Sequence, residues 1–195
     1  MTWKTHMMGG ALVGALFMEN ITTPFSNTQS IILMGSAAIV ALLPDVDEKE
    51  SKAGKALPLI SHSMAATNRV LRIRAYFAKG KKKKELYEKA RNAGHRGILH
   101  YLIAWITLSA ILIGLFGVSL CFANKINPLF ILAACVGASI GYLSHLLLDL
   151  ISGRIALFYP LSKRKIGINL IPQGGFIENV MVRGLLLYGL IITIM

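Results

Sequence analysis

Four short motifs supply histidines and aspartates with ligand chemistry: Thr5-His6, Leu43-Pro44-Asp45-Val46-Asp47, His95-Arg96-Gly97-Ile98-Leu99-His100 and Ser144-His145-Leu146-Leu147-Leu148-Asp149. His145 and Asp149 stand four residues apart, so a helix projects both from one face towards a common point. Asp45 and Asp47 follow a proline that ends the preceding helix, which frees their carboxylates to turn towards a site. His95 and His100 fit a loop ligand followed by a ligand from the first turn of a helix. Imidazole mixed with carboxylate suits zinc, manganese or iron better than calcium or magnesium. The candidate ligands are His6, Asp45, Asp47, His95, His100, His145 and Asp149, and these seven exceed the four positions of one tetrahedral zinc. One or two ions are therefore expected, with Asp45 or Asp47 as a bridge.

Around these motifs stand groups suited to supporting roles. Asp47 and Glu178 are candidate general bases. Glu178 alternatively complements the dipole at the start of the last helix. Arg96, between two candidate ligands, is able to hold a phosphate or carboxylate oxygen through paired hydrogen bonds. His62 falls in a separate, amphipathic stretch and is left out of the site.

The elements that position these residues are apolar. Of the 195 residues, 54% are hydrophobic and only 15% charged, less charge than a soluble domain of this length carries. Five apolar segments run near 6–22, 28–43, 98–123, 128–151 and 177–195. The third and fourth are long enough to span a bilayer without question, and the others lie near the lower limit of about 17 residues. Gly9, Gly10, Gly14, Gly35, Gly137 and Gly141 allow close helix approach, which suits a compact bundle. Cys121 and Cys135 both lie within apolar runs and read as core thiols rather than a disulfide framework.

A net charge of +12 would suit a nucleic-acid partner, but the charges follow membrane topology instead. The segment 48–97 carries 14 of the 21 Lys and Arg residues, 152–183 carries five, and Lys4 precedes the first span, leaving only Lys125 on the other side. This asymmetry predicts a multi-pass protein of the inner (cytoplasmic) membrane with its amino terminus and its 48–97 loop in the cytoplasm. Within that loop, 57–78 reads as an amphipathic helix lying among lipid headgroups. The run Lys79-Gly80-Lys81-Lys82-Lys83-Lys84 would be drawn to anionic lipid heads at about 1 kcal/mol per basic residue. The orientation rests on Lys and Arg alone, yet it brings all four His/Asp motifs to the same, cytoplasmic membrane edge. Ionisable groups such as His145 and Asp149, within or at the end of an apolar stretch, are costly to bury and have a functional role by default.

The four motifs, in this order, with the tail Tyr159-Pro160-Leu161-Ser162, resemble the YdjM/YbcI-like family of bacterial membrane-bound proteins regarded as metal-dependent hydrolases. The likeness spans nearly the whole chain and departs at Leu99 and Tyr101, where family members commonly carry Thr and Ser around the second histidine of the third motif. The resemblance implies a metal-dependent hydrolase. The residues and the family likeness together lead to one expectation: an all-α membrane protein, a single domain over 1–195, built as a compact bundle of about five transmembrane helices with a basic cytoplasmic loop. Its expected activity is hydrolysis of a phosphoester in a phospholipid or lipid-linked substrate, because the site lies level with the headgroups. Membrane lipids are the expected partners, and nucleic acid is not. The alternatives are a metal-ion carrier or sensor, and a membrane scaffold whose polar cluster only holds helices together.

Overall fold

The computed structural model describes residues 1–21, 25–48, 50–92, 97–122 and 127–194. They form helices α1 (Trp3–Glu19), α2 (Asn27–Val40), α3 (Lys52–Ala56), α4 (Pro58–Phe77), α5 (Gly80–Asn92), α6 (Leu102–Leu120), α7 (Pro128–Ser152) and α8 (Arg183–Ile194). Single 3-10 turns at Leu43–Asp47 and Ile98–His100 and a π-helical turn at Ile177–Val182 complete the helical elements. The segments Asn27–Asp47, Leu102–Leu120, Pro128–Ser152 and Ile177–Ile194 are long and apolar enough to cross a membrane. Helix α1, with 17 residues, is about 25 Å long and stands at the lower limit for crossing. Helix α4 matches the amphipathic helix expected in the basic loop. The all-helical bundle is the expected fold class; among the described residues the only β pairing is a bridge between Ile155 and Ile166.

Local sequence explains the element ends. Ser26 and Gln29 form a reciprocal capping box at the start of α2, satisfying two otherwise orphaned amides. Asn127 caps α7 by accepting from Leu129 N at 2.9 Å. Pro44 lacks an amide proton and opens the tighter 3-10 turn that carries Asp45 and Asp47 away from the axis of α2. The third apolar segment starts as a helix at Leu102 rather than Ile98, because the turn Ile98–His100 precedes it. His100 therefore hangs from a 3-10 turn and not from the first turn of α6.

Helix α2 packs between α1 and α7, with α8 against α1 and α6 against α7. Glycine sets the spacing. A Cβ on Gly10 or on Gly141 would overlap the Ala37 carbonyl oxygen, and one on Gly137 would overlap the Leu33 carbonyl oxygen. Only hydrogen at these positions lets the backbones approach so closely. Gly35 differs from the expectation, since nothing lies within 4 Å of the place its Cβ would take. Helix α6 touches the bundle on one side only: Trp105 Nε1 donates to Ser139 O at 3.0 Å, and the Ser109 and Ser139 hydroxyls meet at 2.8 Å. Its remaining apolar surface, including Ile111, Ile113 and Val118, is exposed, as suits a lipid-facing helix. Cys135 is buried but Cys121 is exposed, so only the first of these is a core thiol.

Candidate metal centre

The contact of Gly10 and Gly141 with Ala37 fixes the register of three helices, and the site follows by counting turns from it. One helical turn towards the amino end of α1 and the carboxyl ends of α2 and α7 brings His6, Ala41 and His145 into a second layer. In that layer the His6 and His145 rings stack with centroids 3.8 Å apart and planes 18° apart. His145 Nδ1 donates to Ala41 O at 2.6 Å. A carbonyl only accepts, so the ring proton lies on Nδ1 and the Nε2 lone pair is left facing the site. A further turn brings Asp45 and Asp149 over the histidines.

His100 enters from the side. Tyr142 O–H on α7 donates to Leu99 O, and Leu102 N donates at 2.8 Å to Leu157 O in the segment after α7, so the 3-10 turn is held at both ends. Tyr101 is buried, and its ring packs against Tyr159 with centroids 4.8 Å apart. This explains the tail motif: Tyr159 supports the turn that carries His100. Ser51 Oγ donates to Asp45 O at 2.6 Å and fixes the other turn.

Four donor atoms converge. His100 Nε2 is 3.2 Å from His145 Nε2, 3.7 Å from Asp45 Oδ1 and 3.4 Å from Asp149 Oδ2. His145 Nε2 is 3.7 Å from Asp45 Oδ1 and 3.8 Å from Asp149 Oδ2. Donors held about 2.0–2.2 Å from a tetrahedral zinc-class ion stand roughly 3.3–3.6 Å from one another. The separations around the two histidines, 3.2–3.8 Å, bracket that range, and imidazole with carboxylate is the donor chemistry such an ion takes. His6 adds a fifth group, with Nε2 3.5 Å from Asp149 Oδ1. His6, Asp45 and His145 also form a second ligand-spaced triplet beside the first, of His100, His145 and Asp149. His6 Nδ1 is buried with no hydrogen-bond partner among the described residues, which a purely structural histidine rarely tolerates.

Charge balance points the same way. Asp45, Asp47 and Asp149 have side chains at most 13% exposed. Buried carboxylates in such number require cations nearby. The Met1 ammonium supplies part, 3.1 Å from Asp149 Oδ1 and 3.2 Å from Ser152 Oγ. Nothing in the sequence motifs pointed to this amine or to the Ala41 carbonyl, since both act through the backbone.

The remaining sequence candidates fall in different places. Asp47 lies behind His100, with Oδ2 3.9 Å from its Nδ1, on the side away from the converging Nε2 atoms. Carboxylates in that position orient a ligating imidazole rather than bind the metal. Glu178 is fully buried, and its oxygens are engaged: Oε1 accepts from Thr2 N at 2.5 Å, Thr2 Oγ1 at 2.8 Å and Thr5 Oγ1 at 2.6 Å, and Oε2 accepts from Gly174 N at 2.6 Å. Arg183 reinforces the same knot by donating to Thr2 Oγ1 at 2.6 Å. Glu178 thus ties the amino-terminal turn, and with it His6, to the last helix. His62 is exposed on α4, apart from the cluster. His95 and Arg96 lie outside the described residues.

No curated protein and no solved structure matches the chain. The family of YdjM inner membrane proteins matches residues 1–194, nearly the entire length. With its apolar helices and a His/Asp cluster at their converging ends, the chain belongs to the YdjM inner membrane protein family.

Proposed function

We propose that this protein is a membrane-embedded, metal-dependent hydrolase of a phosphoester in a phospholipid or lipid-linked substrate, working at the cytoplasmic face of the inner membrane. The observation that carries the reading is the meeting of His100, His145, Asp45 and Asp149 at one end of the bundle, where the two histidine Nε2 atoms are 3.2 Å apart and each lies 3.4–3.8 Å from an oxygen of Asp45 and of Asp149. The Lys and Arg asymmetry supports the cytoplasmic face. The basic hairpin of α4 and α5 would rest on anionic headgroups beside the site through Lys79 and Lys81–Lys84.

Zinc is the ion best suited to this mixed donor set, with manganese or iron as substitutes. When bound, it would supply Lewis-acid polarisation of a phosphoryl oxygen and a water acidified towards neutral pH. The chain's own residues do the rest. Ala41 O holds His145 in the tautomer whose Nε2 faces the donors. Asp47 places a buried carboxylate behind the ring of His100, 3.9 Å from Nδ1, where its charge would favour a proton on that nitrogen. His6, stacked on His145 and 3.5 Å from Asp149 Oδ1, would hold a second ion together with Asp45 and His145. Asp45, the most exposed ligand carboxylate, opens towards solvent and is suited to take a proton from an incoming water on its second oxygen.

Purified protein should contain stoichiometric zinc or manganese, and His145→Ala should lose it. The metal-loaded protein should release headgroup or phosphate from phospholipid vesicles. A metal-free wild type would overturn the metal centre, whereas metal without release would favour a carrier or sensor.

A further inference from the structure

Two cavities flank the exposed edge of the cluster and share a wall. The first, about 400 Å³, is a polar cleft lined by Asp45, Glu48, Glu50, Ser51 and Lys52, with Trp3 at its side. The second, about 410 Å³, is an apolar groove between α1, the end of α2 and α3, lined by Ile39, Leu43, Ala53, Ala56 and Leu57. Trp3 and Lys52 belong to both. Each volume falls in the range of ligand pockets. Ile39 and Leu57, on the groove's rim, are 67% and 42% exposed, and Ile39 lies on a helix of membrane-spanning character. The groove thus opens where acyl chains are available, and the cleft holds Asp45, the accessible edge of the metal cluster.

Charge in the cleft is of both signs and is arranged. Lys52 Nζ lies 5.8 Å from the Trp3 ring centroid, with Lys4 Nζ at the same distance, so the indole holds cations at the junction of groove and cleft. Glu50 is paired with Lys55 at 3.0 Å. Glu48, by contrast, accepts only a long 3.5 Å bond from Glu50 N among the described residues. The cleft thus holds a cation, Lys52, at the wall it shares with the groove and a carboxylate, Glu48, with little else to bind, a pair that fits a phosphate and an amine. An apolar tail, a phosphate and an ammonium together describe one kind of molecule.

We propose that groove and cleft together seat a single zwitterionic glycerophospholipid. One acyl chain lies along Ile39, Leu43, Ala56 and Leu57, the phosphate is beside Lys52 and within reach of the metal cluster, and the headgroup ammonium faces Glu48. The assignment deepens the phosphoesterase reading by naming the substrate class, and it rests on that reading for the phosphate's role. Binding itself requires only the chain's own residues.

Trp3 reports on the seat, because the protein has only two tryptophans. A Trp105→Phe variant in detergent, titrated with phosphatidylethanolamine brominated in its acyl chains, should show saturable quenching of Trp3. Filling the groove with Ala56→Phe, or reversing charge with Lys52→Glu, should raise the half-saturation concentration about tenfold. Both residues are exposed, so helical content should not change. Brominated phosphatidylglycerol should bind more weakly, and Glu48→Gln should narrow that difference. Quenching that does not saturate, that ignores Ala56→Phe, or that is stronger with phosphatidylglycerol overturns the proposal. Zinc content read on the same samples separates the two readings. Zinc without saturable lipid binding refutes the lipid seat alone, and saturable lipid binding without zinc refutes the metal centre while supporting the seat.

Discussion

Replacing Gly141 with alanine tests whether backbone contact between α2 and α7 sets the geometry of the proposed metal centre. An alanine Cβ there would overlap the Ala37 carbonyl oxygen and lie 2.7 Å from both Ala37 C and Ala37 Cα. Carbon atoms rest about 3.5–4.0 Å apart, so the two backbones must separate by roughly 0.8 Å or more. His145 is one turn farther along the same helix, and its Nδ1 hydrogen bond to Ala41 spans the same interface. Ligand positions in metal sites tolerate only about 0.2 Å, so a shift of this size should weaken zinc binding by at least tenfold. Overpacking should also cost about 1–3 kcal/mol of stability. Competition with a chromophoric chelator reads the affinity, and circular dichroism in detergent confirms that the helices remain. Gly114→Ala on α6, where a Cβ meets open space, is the control and should bind zinc as the wild type does. A folded Gly141→Ala protein with unchanged zinc affinity would refute the argument that this contact positions the ligands.

Three further outcomes are expected. Asp47→Asn should retain zinc but bind it about 10–100-fold more weakly, because it loses the charge that orients His100, whereas Asp149→Asn should lose the ion; chelator competition distinguishes them. Glu178→Ala strands the donors of Thr2, Thr5 and Gly174 and should lower stability by about 1–3 kcal/mol, read as an earlier thermal transition with zinc still bound. Amide exchange across 58–92 should slow in vesicles containing anionic lipid and recover at high salt, and equal rates in neutral vesicles would discount the headgroup contact.

Much of the fold was legible in the chain. Apolar length suffices for a helical membrane bundle, because a long uninterrupted apolar segment satisfies its own backbone hydrogen bonds in a bilayer only as a helix. Ser26-Asn27-Thr28-Gln29 and Asn127-Pro128 announce helix starts through local hydrogen bonding. The boundaries that were not legible have local causes of another kind. His100 lies on a 3-10 turn because Tyr142 and Leu157, distant in sequence, hold the backbone of Leu99 and Leu102. Gly35 and Gly141 look alike in the sequence, yet only one has a neighbouring backbone to approach.

For the centre itself, residue type and spacing determined which groups are capable of binding a metal: His145 with Asp149 on one helical face, and Asp45 and Asp47 after Pro44. What each one faces was decided by the tertiary structure. Asp45 and Asp47 are two residues apart, but one joins the converging donors and the other stands behind His100. Glu178 had the chemistry of a base, but its oxygens are engaged by Thr2, Thr5 and Gly174. The groove and cleft at Trp3 and Lys52 join residues from α1, α2, the turn after it and α3, and no single stretch of sequence carries that pattern. Helix periodicity fixes directions within one element, whereas the register between elements depends on how closely their backbones approach. Here that distance is set by glycine against a carbonyl, a contact between atoms that every residue type shares.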